Sequence, residues 1–344
     1  DGTVVLADEP LLEFTAPLPV AQLLETAVMN VVHLPTMIAT KAARCVVASQ
    51  GRLLADFGAR RAHGVEAALE AARAAYLAGF DSTSNVEAGR RYGIPIAGTM
   101  AHALVQSYED EIAAFRAFAR DHPGNAVLLV DTYDTLEGVD NAILVGRELL
   151  DRGEELNGVR LDSGDFHELA IKSRKKLDEA GFEDASIFAS GGMDEWAIHD
   201  LLSRDAPIDA FGIGTGLTTS RDHPAADIVY KLVDYDGKPR AKYSEGKVLR
   251  PGAKQIFRTA GPDTDVLGRR GEEHDGTALL APAWRDGQRL RDDDLEAARQ
   301  HAAGQLESLP EAWRHPDGPE EIPHPAISPE LEELTEQVRA RELA

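Results

Sequence analysis

Between residues 126 and 217 a short apolar run recurs four times, and each run ends in polar residues. The runs are AVLLVDTYDT (126–135), GVRLDSGD (158–165), ASIFASGG (185–192) and AFGIGTGL (210–217). They repeat every ~25–30 residues, the length of a strand plus its returning helix. Helical stretches over about 141–151, 166–180 and 194–203 fill the intervals. Short, wholly apolar strands suit a parallel sheet covered on both faces. The chain is therefore expected to be α/β. The polar residues gather at the strands' C-terminal ends: Asp131, Asp134, Asp162, Asp165, Ser190 and Thr215. Those ends form the active face of a βα barrel, and an open doubly wound sheet places them similarly, so the pattern leaves both architectures open.

Upstream, residues 19–33 carry apolar positions at Val20, Leu23, Leu24, Ala27, Val28 and Val31, which predicts a helix. Residues 35–49 predict a second, buried helix, and 65–78 a third, closed by Gly79. Residues 3–16 contain two β-like runs, VVLA and LLEF, split by Glu9-Pro10. Strand-like sequence returns over 227–258, and these segments together predict a small β-domain. From about 262 the chain is rich in Asp, Arg, Glu, Gly and Pro and reads as a loosely packed extension, with helices over 293–306 and 329–342.

Charge narrows the partners. The chain carries 59 acidic and 36 basic residues, a net charge of −23, and only 9 of the basic residues are Lys. A surface of this sign is unsuited to a nucleic-acid backbone. Acid-rich, Lys-poor composition points to work in high salt, where self-repulsion is screened; an acidic surface at ordinary salt is the alternative. No apolar run approaches the ~20 uninterrupted residues of a membrane span, and the acidic opening DGTVVLADEP is not a signal peptide. The opening also lacks methionine, so the sequence is expected to start partway into a longer protein. Cys45, the only cysteine, lies in the apolar run KAARCVVAS. It reads as a buried inert thiol in a reducing cytoplasm, and it excludes an internal disulfide or a Cys-based zinc site.

Six stretches carry candidate chemistry. SGG (190–192) runs into a helix, and GIGTG (212–216) ends the next strand. Glycine lets backbone N–H groups approach an anion, and a helix N-terminus adds partial positive charge. Either loop alone is an ordinary tight corner; the pair, one βα unit apart, points to phosphate. In RLDSGD (160–165), Arg160 and Asp162 share one face of an apolar strand, either as a structural ion pair or to bind an acid and ribose hydroxyls. DTYDT (131–135) adds carboxylates at the same rim. GTMAH (98–102) sets His102 just after an apolar run, unlike the other histidines. In FGARRAH (57–63), Phe57 could stack on a flat ring and Arg60 or Arg61 could hold an acid or phosphate; a turn with solvated arginines is the alternative.

Taken together these stretches resemble nicotinate phosphoribosyltransferases. The matching motifs are EPLLEF, QLLETAVMN, TMIATKAAR, DFGARRAHG, GFDSTSNVEAG, GTMAHALVQS, LLVDTYDT, VRLDSGD, SGGMDE, DAFGIGTGL and KYSEGKVLRPGAKQIFR, in order from about residue 9 to 258. The resemblance is loose beyond 262. It implies an incomplete, TIM-like βα barrel over 19–226 as the catalytic domain. Beside it would stand a smaller β-rich sandwich built from 1–18 and 227–260, with 261–344 as a C-terminal extension. It further implies a homodimer with active sites at the subunit interface, and an N-terminal segment ahead of EPLLEF that supplies a tyrosine across the dimer.

The reaction implied is nicotinate plus phosphoribosyl pyrophosphate giving nicotinate mononucleotide and pyrophosphate in NAD biosynthesis, with ATP hydrolysis and Mg²⁺, formally a ligase. The resemblance makes His102 the residue phosphorylated by ATP and Asp131 its orienting carboxylate. Phe57 would stack on the pyridine ring, and Arg60 would contact the phosphoribosyl group. Arg160 and Asp162 would lie between base and ribose. Gly191, Gly192, Gly214 and Thr215 would cradle the 5′-phosphate, and Ser190 would also bind substrate. No residue is assigned as a resident metal ligand; Mg²⁺ would arrive with the polyphosphate. Related nicotinamide enzymes carry aspartate where Ser84 stands. An aspartate would repel the nicotinate carboxylate, whereas serine can donate to it. Ser84 therefore favours the acid over the amide.

Three rival readings remain at this stage. One is nicotinamide or quinolinate as the base, although quinolinate's two carboxylates would want more Arg and Lys around it. A second is a barrel lyase or isomerase, although the four strands lack the Lys such enzymes use. The third is a non-catalytic nucleotide-binding relative.

Overall fold

The computed structural model describes residues 1–244, 247–292, 294–321 and 323–344. The chain divides into two compact units, one formed by Leu34–Ala225 and the other by Asp1–His33 with Ala226–Ala344.

The first unit is α/β, as expected, and is built on a six-stranded parallel sheet. Its strands are β1 (Leu53–Asp56), β2 (Ser82–Thr83), β3 (Val127–Leu129), β4 (Gly158–Leu161), β5 (Ser186–Ser190) and β6 (Ala210–Ile213), in the order β2-β1-β6-β5-β4-β3. The edges are β2 and β3, and the strand-like run 93–98 contributes only a bridge from Ile96 to Thr83. The register aligns Asp56 with both Thr83 and Ile213, Ser190 with Gly212, and Leu161 with Ala189. Parallel strands in this register end at one rim.

Helices α2 (Val65–Ala78), α3 (Val86–Tyr92), α4 (His102–Val105), α5 (Glu111–Asp121), α6 (Thr135–Leu150), α7 (Phe166–Glu179), α8 (Glu195–Ser203) and α9 (Thr215–Thr218) alternate with the strands. Phe80, Phe115, Leu128, Leu129, Leu161, Ile187 and Phe211 form its fully buried centre. Removing each such side chain from water contributes ~1.5–3 kcal/mol. Two of the expected rim carboxylates, Asp134 and Asp165, do other work, as does Asp194. Asp134, Asp165 and Asp194 accept backbone N–H groups from the first turns of α6, α7 and α8. Asp134 starts α6 six residues ahead of the expected Asn141, with Glu137 adding first-turn acidity.

Helix α1 (Leu18–Ser49) is continuous where two helices were expected, with Pro35 inside it. Proline deletes one N–H bond, but apolar spacing persists on both sides, and Ile38, Ala42, Cys45 and Ala48 are buried in the α/β unit. Contrary to the sequence expectation, α1 is long and apolar enough to cross a membrane by length and composition. Lys41 in its buried stretch is ion-paired.

The second unit contains hairpins β7 (Asp234–Tyr235) with β8 (Lys238–Pro239), β9 (Tyr243–Ser244) with β10 (Lys247–Val248), and β14 (Trp284–Arg285) with β15 (Gln288–Arg289). Its main sheet joins β11 (Lys254–Arg258), β12 (Val266–Arg269), β13 (Thr277–Ala278) and β16 (Ala326–Ile327) in the order β13-β11-β12-β16. Helices α10 (Leu295–Glu307) and α11 (Pro329–Glu342) complete it, and Leu331 of α11 packs with Ile256 and Leu267.

Two expectations change here. Residues 261–344 supply β12, β13, β16 and α11 to this sheet and its core, rather than a loose extension. Residues 3–16 form no strand. Asp8 turns the chain with φ +67° and Pro10 lacks an N–H. Side chains tie this run down instead: Arg258 donates to the Val4 carbonyl, and Glu13 accepts the Lys254 N–H. Glu245 and Gly246 of the KYSEGKVLRPG motif, and Asp293 at the start of the expected 293–306 helix, lie outside the described residues.

Candidate active site

The shared register brings the sequence-predicted residues to one rim. Ser84 follows β2, Phe57 follows β1, Gly214 and Thr215 follow β6, Gly191 and Gly192 follow β5, and Asp162 and Asp131 follow β4 and β3.

Arg160 is the most constrained. Its Nε donates to Ser190 Oγ (2.7 Å), one terminal nitrogen to Thr99 Oγ1 (2.5 Å) and the Met100 carbonyl (3.3 Å), and the other to Asp162 Oδ1 (2.6 Å). The guanidinium lies 5.5 Å from the centre of the Phe57 ring. Phe57 in turn rests on β6: a Cβ at Gly212 would come 2.7 Å from its ring, so only glycine leaves room for it there. Ser190 also donates to Asp162 Oδ1 (2.5 Å). Burial raises the Asp162 pKa, but the Ser190 hydroxyl and the Arg160 charge outweigh it and hold the carboxyl below the usual range.

His102 opens α4 and is partly exposed. Its Nδ1 lies 3.1 Å from Thr132 Oγ1, and its Nε2 lies 3.6 Å from Asp162 Oδ2 and 3.9 Å from Asp131 Oδ1. The expected orienting role of Asp131 is therefore not a hydrogen bond here; Thr132 holds the ring. Asp131 Oδ2 accepts the Ser163 hydroxyl (2.5 Å) and the Asp162 N–H (3.3 Å). Its Oδ1 is buried without a hydrogen-bond partner among the described residues. An unpartnered buried carboxylate oxygen facing a histidine is left for a group brought in with a ligand.

The glycine loop after β5 is built for close approach. Gly191 has φ +88°, and a Cβ there would come 2.1 Å from the Asp162 carbonyl oxygen. Gly191 and Gly192 are exposed and lead into α8, beside a cavity of about 250 Å³. Gly214 and the exposed Thr215 form the adjacent turn.

Ser84 is exposed and lines an open cavity of about 570 Å³ with Ala59, Ala62, Val65, Leu69 and Asn85. Its N–H is held by the Asp56 carbonyl. Arg60, in the 3₁₀ turn Ala59–Arg61, is exposed.

Sequence reasoning missed several supporting groups. Thr132 and Thr99 sit inside motifs already singled out, and Ser163 adjoins Asp162. Asp56 is buried at the end of β1; it accepts the Gly58 N–H (2.8 Å) and the Thr83 hydroxyl (2.7 Å), joining the Phe57 and Ser84 loops. Burial raises its pKa, and those two donors offset part of the rise. In the β-rich unit, Glu272, His274 and Glu330 have metal-ligand spacing. Glu272 and His274 already pair at 2.7 Å and Glu330 is exposed, so the trio needs no ion to be satisfied.

The family model for nicotinate phosphoribosyltransferase (NAPRTase) matches residues 53–254. The nicotinate phosphoribosyltransferase pncB2 of Mycobacterium tuberculosis is 50% identical over 319 residues, covering 91% of this chain and 68% of that protein. The nicotinate phosphoribosyltransferase of Bacillus subtilis is 48% identical over 265 residues, covering 75% of this chain and 54% of that protein. The crystal structure of human nicotinic acid phosphoribosyltransferase superposes with a TM-score of 0.80 at 28% identity, over 98% of this chain and 81% of that one. The matched segment spans the whole rim from Phe57 to Thr215, and on these grounds the chain belongs to the nicotinate phosphoribosyltransferase family.

Proposed function

We propose that the chain transfers the phosphoribosyl group of phosphoribosyl pyrophosphate to nicotinate, releasing pyrophosphate and forming nicotinate mononucleotide for NAD biosynthesis. The observation that carries this reading is Arg160, locked by four acceptors beside the Phe57 ring and next to the Gly191–Gly192 loop. A planar acid can stack on Phe57 with its carboxylate toward the guanidinium, while the loop N–H groups hold a phosphate.

Breaking the bond from ribose C1 to pyrophosphate builds oxocarbenium character, and the pyridine nitrogen is already nucleophilic. The residues' work is to align the two partners and hold charge, so no protein nucleophile is required at C1. Asp162, kept ionised, faces the developing positive charge. Mg²⁺ would arrive on the polyphosphate and neutralise its charge when bound, and the unpartnered Asp131 Oδ1 would be the oxygen to meet it.

ATP coupling belongs to the same reading. His102 is phosphorylated by ATP, with its ring steadied by Thr132 and its Nε2 toward Asp131 and Asp162. Arg60 contacts the phosphoribosyl group, and Ser84 selects the acid over the amide. A homodimer is also part of it. Leu23 and Val31 of α1, among the apolar positions that predicted this helix, are 83% and 71% exposed, and a second copy would cover them.

The test is an assay with nicotinate, phosphoribosyl pyrophosphate, ATP and Mg²⁺, following nicotinate mononucleotide, with nicotinamide and quinolinate in parallel. Product from nicotinate alone, with ATP dependence and phosphoprotein both lost in His102→Ala, is the expected result. Equal use of nicotinamide would overturn the base assignment, and a wild-type ATP requirement in His102→Ala would overturn the phosphohistidine.

A further inference from the structure

Beneath the two glycine loops lies a buried ionic network. Lys41 of α1 is 2% exposed and Glu195, the first residue of α8, is fully buried; Lys41 Nζ lies 2.6 Å from Glu195 Oε2. The same Nζ lies 2.6 Å from Asp222 Oδ1. Arg44 closes the ring, with Nε 3.1 Å from Glu195 Oε1 and a terminal nitrogen 2.7 Å from Asp222 Oδ2. Both cations lie over the Trp196 ring, at 4.5 and 4.6 Å. Arg221, beside Asp222, donates to Asp194 Oδ2 (3.1 Å), and Asp194 Oδ1 caps α8 through the Ala197 N–H.

Position gives the network its meaning. Asp194 and Glu195 follow directly on Gly191-Gly192-Met193, and Arg221 and Asp222 lie three and four residues past the end of α9 (Thr215–Thr218). The two halves also touch: a Cβ at Gly216 would lie 3.5 Å from the Met193 carbonyl. One set of charges therefore ties the loop after β5 to the loop after β6. Burying Lys41 and Glu195 costs several kcal/mol per ion, and apolar residues of similar volume would commonly be no less stable. Stability alone does not account for the pair. Electrostatics supplies a second reason. Two carboxylates at the N-terminus of α8 would oppose an incoming anion, and Lys41, Arg44 and Arg221 balance Asp194, Glu195 and Asp222.

We propose that Lys41 and Glu195 are positioning residues for the 5′-phosphate of the phosphoribosyl substrate, fixing the two glycine loops relative to each other and cancelling the carboxylate charge beneath them. This rests on reading those loops as the phosphate cradle.

The experiment uses the full chain and the double variant Lys41→Met/Glu195→Gln, which removes both charges together. Binding of Mg²⁺–phosphoribosyl pyrophosphate is measured by calorimetry, beside kcat and the KM of each substrate. The double variant should melt near the wild type and bind phosphoribosyl pyrophosphate about tenfold or more weakly, with nicotinate KM and kcat within about twofold. Lys41→Arg, which keeps the charge, should recover most of the affinity. Should the double variant fail to fold, Asp222→Asn, at the more exposed edge, should still raise the phosphoribosyl pyrophosphate KM selectively. Unchanged affinity in a folded variant, or equal loss for both substrates, overturns the positioning role while leaving the cradle standing. A wild-type chain that binds nicotinate but no phosphoribosyl pyrophosphate overturns the cradle, and the positioning role with it.

Discussion

Each unit holds an arginine–aspartate pair, and the two differ in what encloses them. In the β-rich unit, Arg258 is 5% exposed and Asp265 is fully buried; they meet through two bonds of 2.7 and 2.5 Å, and the remaining donors go to Gln305 and the Val4 carbonyl. Every guanidinium nitrogen has a protein partner and no surface is offered to a ligand. At the rim of the parallel sheet, Arg160 is equally well bonded, yet its partner Asp162 remains 26% exposed and turns Oδ2 toward His102. The same chemistry is sealed in one place and left with an open side in the other. The open pair sits where parallel strands end, so backbone geometry supplies the opening. The sealed pair joins β11 to the segment before β12 and anchors the N-terminal run.

Separating the two pairs by mutation should show this division. Arg258→Ala leaves Asp265 buried and unpaired, and the expected loss is about 3–5 kcal/mol of stability, read by denaturant unfolding. The activity of the molecules that remain folded should be unchanged; a stable Arg258→Ala protein would mean that the pair is not the anchor described. Arg160→Lys keeps the charge and loses the planar fork. It should lower kcat/KM for nicotinate by about a hundredfold, the scale of one lost preorganised donor, with a melting temperature within a few degrees. If Arg160→Lys instead melts early and stays active, the rim pair is structural as well.

A smaller effect is expected from Ser84→Asp. Ser84 is exposed to the open cavity, so solvent screens part of the repulsion, and the KM for nicotinate should rise about tenfold. Nicotinate kinetics identical to the wild type would sink the role of Ser84 in choosing the acid. The smallest effect concerns pH in the β-rich unit. Burial, with Asp265 nearby, raises the pKa of Glu9 from 4.5 to about 7. The folded state then binds this proton more tightly than the unfolded state. Stability is greatest at and below the unfolded pKa, falls as pH rises from about 4.5, and levels off above about 7. Glu9→Gln should flatten that slope in melting curves taken across the interval, whereas the pH dependence of the rim should be untouched.

How much of this was legible beforehand differs between the two regions. Strands β3 to β6 could be read because each is an apolar run ending in polar residues, and the rim followed from their common direction. Strand β1 was missed because only Leu53–Asp56 forms it, too short for a period to register. The early start of α6 was visible as Asp134 three residues before Glu137, but the preceding apolar run drew that stretch into a strand. At the site, residue types were legible and contacts were not. Thr132 lies beside Asp131 in sequence, and only the fold decides which of them meets His102. Lys41 and Glu195 are 154 positions apart, and nothing local marks either as buried. In the β-rich unit, the short β-like runs VVLA and LLEF in residues 3–16 suggested strands, but that stretch is held by arginine and glutamate side chains rather than by a ladder.

The glycine at 191 has a consequence for how this rim can change over generations. With the Asp162 carbonyl 2.1 Å from where any side chain would begin, that wall of the site is closed to substitution. The opposite wall, where Ser84 faces a cavity of about 570 Å³, tolerates new side chains without moving the backbone. Variation that alters which ring is accepted should therefore accumulate on the Ser84 side, while the phosphate side stays a fixed grip. A directed-evolution library meant to admit new pyridine acids has its useful diversity at Ser84 and at the cavity-lining positions Ala59, Ala62 and Val65, and almost none at 190–192.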